Sequence, residues 1–542
     1  MKYLASLILI SSVFITTAQG SKISEGIPPV STKPNKEEPI PKHIQKWLND
    51  KTAVKKGKTN QKAFFRRDSI RIVGYIKGYP KTASFASGII YHSNNIVRED
   101  LPTTVRIFED GRFECSMIGV HPISSRITFN NQWIDFYAEP GVTTGIVLDW
   151  NDFTNAKNNG NYKFKDVKYL GATKKINDGL ASIEIVKPDY SALDEYRKKQ
   201  RPDDFKKAQV QNWATARKSA DSMMLGIKTS VEIKEMKINQ IDLAYAVYIF
   251  DYSMSRDYYQ KQEPDNEILK MPLPDDYFDF TNKIDLNNQA LLVSDDFSTF
   301  INRYEFSPLF ERKVLYESRN NTGYVRMDSI YLTKNKKTNL VYDIAKLRSL
   351  TSTLGYSQYK KWTYAKEYRD LSLSISEPFI ITELNRVYDE YKVGKVAYDL
   401  PNTAAANVFK KLISPLKGKI LIIDFWAQWC GPCRGGIEGS LELRTKYKDN
   451  PDFDFVFVTD SESTETTFYE DYIKKNLMIN THKISPDDYL ALRELFKFNG
   501  IPRYVLVDSE GKIQDDNFQS YNLKSEFGKY FPGKFTNDYW KL

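Results

Sequence analysis

Residues 422–436, IIDFWAQWCGPCRGG, decide how the last quarter of this 542-residue chain folds. The apolar run that begins at Lys419 and ends at Trp426 reads as a buried strand. Just beyond it Cys430 and Cys433 flank Gly431 and Pro432, where the strand runs into a helix. Two cysteines spaced C-x-x-C at such a junction are a redox arrangement.

The first thiol stands at the helix N-terminus, where unpaired N–H groups and the helix dipole favour negative charge. Thiols so placed ionise at pKa values of about 3.5–7.5, against about 8.5 for free cysteine. Cys430 is therefore the expected nucleophile. Cys433, one turn further in, is expected to resolve the mixed disulfide. Asp424 lies six residues before Cys430, and an even offset along an extended segment turns it inward beneath the pair. A carboxyl set among Ile422, Phe425 and Trp426 has poor access to water, so its pKa is expected to rise and it can serve as general base for Cys433.

Two other uses of a cysteine pair fit less well. A zinc site needs two more ligands, yet there is no second C-x-x-C, and none of the four histidines lies near the pair in sequence. A staple closing so short a loop adds only about 2 kcal/mol, a small gain for a chain this long. No metal is expected, and no cofactor beyond the Cys430–Cys433 disulfide itself.

Downstream, FDFVFVTD and RYVLVD read as further strands, with helices near 465–476 and 486–497 between them. Residues 509–512 turn the chain into one more edge strand. Strands alternating with helices imply an α/β sheet with parallel pairs at its centre. Ile501-Pro502, just before RYVLVD, is a candidate cis peptide bond. Such a turn exposes the Ile501 backbone beside the cysteines, ready to pair with an incoming peptide.

Upstream the rhythm changes. Residues 191–399 place apolar residues three and four apart, as in NQIDLAYAVYIFDYSMSRDYY, and form a mainly helical domain. Many of the 35 tyrosines fall here and are expected in its core. Residues 68–190 alternate with period two between turn residues, with Asp110-Gly111 as a hairpin signal, and are expected to form an all-β sandwich. Cys115 is expected as a core thiol there.

Residues 21–67 are a basic, Pro/Lys-rich linker. Positions 33–67 hold eleven Lys/Arg against three Asp/Glu, nearly all of the chain's net +9. With little to build a core, they read as a solvated tether. Residues 1–20 have the layout of a secretory signal peptide, with cleavage after Ala18 or Gly20. No cysteine follows as a lipid attachment point, and the mature chain is expected in the periplasm or cell envelope. Export and the absence of an aromatic-interleaved basic platform argue against nucleic acid as a partner.

With these residues in place, 400–542 resemble the thioredoxin superfamily and, within it, the exported TlpA/ResA-like thiol:disulfide oxidoreductases. DFWAQWCGPC followed by GIPRYVLVD carries the match. The resemblance implies an exposed nucleophilic Cys430 and a resolving Cys433. It also implies Trp429 flanking the nucleophile, a buried acid at Asp424 and a cis-proline at Pro502; Trp429, Gly431, Pro432, Ile501 and Pro502 are the expected substrate contacts. The sequence departs from that branch at Gly436 and Glu438, where an acidic residue and a helix-kinking proline are common, and at Asp424, where Asn is common. Gly435 and Gly436 also cost a helix about 1 kcal/mol each against alanine.

GYIKGY, EDGRFE and YAEPGVTTGIVLDW are similar in architecture to the modules that precede such domains in large exported bacterial proteins. They name no activity. Gly-Pro between the cysteines resembles the reducing members of the superfamily. This implies a reductase of cysteine-containing exported proteins, with apocytochromes as one candidate class, itself re-reduced by a membrane electron donor. A second reading makes residues 68–399 an envelope glycan- or protein-binding module with an accessory thioredoxin-like domain.

Overall fold

A computed structural model describes residues 39–53, 63–156, 162–310, 314–319, 322–327, 339–355, 365–394, 396–520, 523–536 and 538–541. The leader segment 1–20 lies outside them. Among the described residues no helix is long and apolar enough to cross a membrane.

The first module is built on ten strands: β1 (Asp68–Lys77), β2 (Ser87–Ile90), β3 (Ser93–Asn94), β4 (Glu99–Asp100), β5 (Thr103–Ile107), β6 (Arg112–Gly119), β7 (Ile123–Phe129), β8 (Gln132–Ala138), β9 (Thr143–Asp149) and β10 (Lys168–Gly171). Eight of them form one sheet in the order β10-β9-β1-β6-β5-β2-β7-β8, while β3 and β4 pair as a separate small hairpin. The expected sandwich of two sheets is thus a single hydrogen-bonded sheet, and β1 and β9 run parallel within it. Helices Trp150–Ala156 and Lys174–Ala181 accompany the strands, so the module is not all-β. Period-two alternation marks a strand with one buried face, and it does not tell one curved sheet from two flat ones. The core is apolar and aromatic, with Ile72, Phe113, Phe129 and Leu148 essentially sealed from solvent. Cys115 is half-buried against this core, and burial pushes its thiol up to about 12.

The stretch read as a tether contains a helix, Lys42–Thr52, that docks on the sheet through Ile44 and Leu48 against Val73, Tyr75 and Val147. Phe65 inserts into the next module's core. Ile44, Trp47 and Leu48 stand three and four apart, as one helix face requires. The surrounding lysines mask that pattern in a count of charge.

The central module is helical, with the long pair Pro202–Gly226 and Val231–Met254 at its centre. One hairpin, β11 (Val314–Arg319) with β12 (Thr322–Met327), interrupts it. Three of its buried tyrosines satisfy their hydroxyls internally: Tyr248 donates to the Asp189 carbonyl, Tyr252 to the Gln200 carbonyl and Tyr277 to the Ile249 carbonyl, at 2.7–3.0 Å.

The C-terminal module has a five-stranded sheet: β13 (Ile420–Phe425), β14 (Phe453–Asp460), β15 (Asn480–Ile484), β16 (Arg503–Val507) and β17 (Ile513–Asp515). Their order is β15-β14-β13-β16-β17. The β13–β14 and β14–β15 pairs are parallel, and β16 is antiparallel to β13. All six residues of β13 are buried, because helices cover both faces of the central strand. Leu421, Ile423 and Phe425 face one core with helices Ala404–Ile413 and Pro486–Leu495. Ile420 and Ile422 face the other.

Candidate active site

Alternation along β13 puts Asp424 on the face of Ile420 and Ile422, continuing to Trp426 and the cysteines beyond. Pro432, within the first two positions, starts the helix Gly431–Gly439, where its missing N–H costs nothing. Cys430 is the N-cap of that helix, and its Sγ accepts the Cys433 N–H at 3.2 Å. The sulfurs are joined as a disulfide with the Cα atoms 5.3 Å apart. The pair sits in a cluster with Trp426, Ile437, Phe457, Tyr472 and Met478, and Ile501 packs against its edge. The Ile501-Pro502 bond is cis.

The expected exposure of Cys430 is not met in this disulfide form: it is 3% exposed, against 0% for Cys433. What reaches solvent is the rim. Trp429 is 63% exposed, and Gly431 and Pro432 are exposed beside it. A depression of about 410 Å³ opens on this side, lined by Trp429, Arg434, Glu462, Glu465 and Phe468.

Asp424 is 4% exposed, and its Oδ1 has no hydrogen-bond partner among the described residues. Burial raises its pKa to about 8, with the Arg444 guanidinium pulling in the other direction. Arg444 is itself buried and fully engaged. It donates to the Asn476, Leu477 and Ile437 carbonyls at 2.6–2.7 Å and to Ser440 Oγ at 3.2 Å, with its carbon Cζ 5.2 Å from the Phe457 ring centre. A positive charge is thereby held near the carboxyl without neutralising its desolvation. Tyr472 braces the other side: its ring stacks on Trp426 at 5.4 Å and its hydroxyl donates to Glu438 at 3.0 Å.

Sequence reasoning brings Cys430, Cys433 and Asp424 to one face, and it misses Arg444, Tyr504 and the groove residues Arg434 and Phe468. Tyr504 pairs across the sheet with Asp424 in the β13–β16 register. Its hydroxyl would lie 2.9 Å from a Cβ added at Gly436. The glycine at 436 therefore makes room for a tyrosine, whereas a side chain at Gly435 would meet nothing within 4 Å. We expect Gly436→Ala alone to be neutral or destabilising, because the gain in helix propensity is offset by displacing the phenol. On a Tyr504→Phe background the same change is expected to stabilise by up to about 1 kcal/mol. Denaturant curves for the four proteins of this double-mutant cycle read the coupling directly; strict additivity would show that the tyrosine is not what keeps position 436 small.

Residues 418–513 match the thioredoxin-like family model. Among curated proteins, the chain is 32% identical over 105 residues to "Probable nucleoredoxin 1" of Arabidopsis thaliana, an alignment covering 19% of this chain and 18% of that one. The chain thus spans under a fifth of that relative. It is 22% identical over 178 residues to the thiol-disulfide oxidoreductase ResA of Bacillus cereus, covering 33% of this chain and 87% of that protein. Among solved structures it is similar to the thioredoxin domain of a thiol-disulfide oxidoreductase from Bacteroides vulgatus, with 28% identity over 21% of this chain and 83% of that one and a TM-score of 0.19. The C-terminal module is thioredoxin-like, and its relatives include thiol-disulfide oxidoreductases.

Proposed function

We propose that this protein is an exported thiol:disulfide oxidoreductase that reduces disulfides of cell-envelope proteins through Cys430 and Cys433. The observation that carries the reading is the joining of the two sulfurs at a helix N-cap, above a buried carboxyl. In the reduced enzyme Cys430 is the thiolate, stabilised by the Cys433 N–H and the helix dipole. It attacks one sulfur of the target disulfide, and the other target sulfur leaves as a thiolate that takes a proton from water. Cys433 then loses its proton to Asp424 in its ionised form, a minority of molecules below about pH 8, and attacks Cys430 Sγ. The second target thiolate departs, and the enzyme is left as the disulfide. Two electrons have passed to the target.

Trp429, Gly431 and Pro432 at the rim, with the Ile501 backbone and Pro502, are the proposed substrate contacts. The redox-active pair serves in place of a cofactor, and a membrane-bound donor restores the dithiol. Apocytochromes are one class of target that fits this scheme.

The direction of transfer follows from the potential. Gly-Pro between the cysteines suits the reducing end of the superfamily scale, which runs from about −270 mV for thioredoxin to about −120 mV for DsbA, a span of about 7 kcal/mol. Titration of the full-length protein against glutathione or dithiothreitol buffers is expected to give a midpoint below about −180 mV, with turnover of insulin disulfides. A midpoint above that value would make it an oxidant. No insulin turnover at all would favour the binding-module reading of residues 68–399.

A further inference from the structure

The loop that brings the chain to Pro502 is held from outside its own module. Asn499 donates its backbone N–H to Asp100 Oδ2 at 3.1 Å. Its Nδ2 lies 2.8 Å from the His92 carbonyl, 2.8 Å from Ser93 Oγ and 3.2 Å from Asp100 Oδ1. Its carbonyl accepts from Arg493 at 2.9 Å, and that guanidinium also lies over Tyr91 of the sheet module, 5.5 Å from the ring centre. Three residues on comes Pro502, and two residues on is Ile501, which packs against the cysteine cluster.

The anchor is itself clamped. The segment His92–Asp100 contains the β3–β4 hairpin, whose turn includes Arg98 at φ +58. Toward the central helices Asn94 donates to Glu383 at 2.8 Å, the Asn95 carbonyl accepts from Arg348 at 2.7 Å, and Glu99 pairs with Arg386 at 2.9 Å. Arg98 pairs with Glu305. The side chains of Glu305 and Glu383 are only 5% and 2% exposed. Opening any of these buried pairs would leave an uncompensated charge in the interior, so the segment is costly to release. Nine residues of the sheet module thus join all three modules, and they end on the loop beside the disulfide.

Resting on the exchange reading above, we propose that Asn499 and Asp100 are positioning residues. The sheet module holds the 497–502 loop in the shape a polypeptide substrate pairs with, and so sets affinity for polypeptide disulfides without taking part at the sulfurs. A loop already fixed loses little conformational freedom when a peptide backbone lies along it, whereas a free loop must be ordered by the substrate. A small disulfide that touches only the sulfur gains nothing from the clasp.

The test uses the full-length protein with two probes: insulin, with dithiothreitol as the electron source that restores the dithiol between turnovers, and dithiobis(nitrobenzoate), reacted with the pre-reduced protein freed of dithiothreitol. In Asn499→Ala and in Asp100→Ala, KM for insulin is expected to rise about tenfold, which corresponds to about 1.4 kcal/mol, with kcat little changed. The rate with dithiobis(nitrobenzoate) and the midpoint potential are expected to stay within about twofold of the unmodified protein. Asp487→Ala removes a contact between the same two modules away from the loop, where the carboxylate accepts from the Ala86 N–H and from Ser87 Oγ. It is expected to leave the insulin KM within about twofold.

An equal loss with both probes, an unchanged insulin KM in the Asn499 and Asp100 variants, or an equal KM rise in Asp487→Ala would each overturn the assignment. Failure of the unmodified protein to react with either probe would instead sink the exchange reading itself, and the two failures are thereby told apart.

Discussion

Cys430→Ser is expected to abolish reduction of polypeptide disulfides, a fall of at least about 10³-fold, while Cys433→Ser is expected to hold its target as a stable mixed disulfide on Cys430. The two sulfurs are almost equally hidden in the disulfide form, so exposure does not assign the roles. The helix cap does. Cys430 Sγ stands where a capping oxygen would stand and accepts the Cys433 N–H, an environment that favours the anion. Cys433 Sγ lies within the first turn and faces the buried carboxyl's side of the sheet. Non-reducing electrophoresis followed by mass spectrometry of the trapped species checks both roles and identifies the target. If Cys430→Ser traps partners through Cys433 and the reverse variant traps none, the assignment is inverted.

The second large effect is at Asp424, and it has opposite signs for stability and for rate. In the unfolded chain this carboxyl ionises near pH 4. In the fold it keeps its proton to about pH 8, because burial penalises the charge more than Arg444 relieves it. Between those values the folded state binds more protons than the unfolded one, so stability falls as pH rises. The total over that window is about 5 kcal/mol at 1.36 kcal/mol per pH unit.

Asp424→Asn removes this loss. The oxidised variant is expected to match the unmodified protein near pH 4 and to be more stable at pH 8 by about 3–5 kcal/mol, read from the thermal transition at the two pH values. Resolution of the mixed disulfide is expected to slow by about 10²-fold, since Asp424 is the proposed base for Cys433. A variant no more stable at pH 8 would show that the carboxyl is hydrated in the fold. Unchanged resolution would show that water or the target takes the proton.

The two cysteines, the strand before them and the acid beneath them were legible because each depends on near neighbours in the chain. A helix N-cap needs only the residues that follow it. Parity along a strand needs only an offset of six. The same local logic found the alternation of 68–190 and the helical spacing of 191–399. It went astray at Lys42–Thr52, where the apolar spacing was present but a count of lysines spoke louder.

The arrival of Tyr504 opposite Asp424 and under Gly436 depends on the register of an antiparallel strand eighty residues away. Arg444 reaches the site from a neighbouring helix, and its partners are carbonyls, which every residue has and no sequence pattern marks.

By itself the sequence determined the elements of the site: a cysteine pair at the mouth of a helix, an acid turned inward, and a chain of mixed modules around them. Tertiary structure alone decided three things: that Cys430 lies almost covered in the disulfide form, that Arg444 tempers the acid, and that the sheet module grips the loop before Pro502. The reason lies in the range of the forces. Strand parity and helix capping are set within a few residues. Desolvation, ion pairing and hydrogen bonds between modules depend on whatever the folded chain happens to bring alongside.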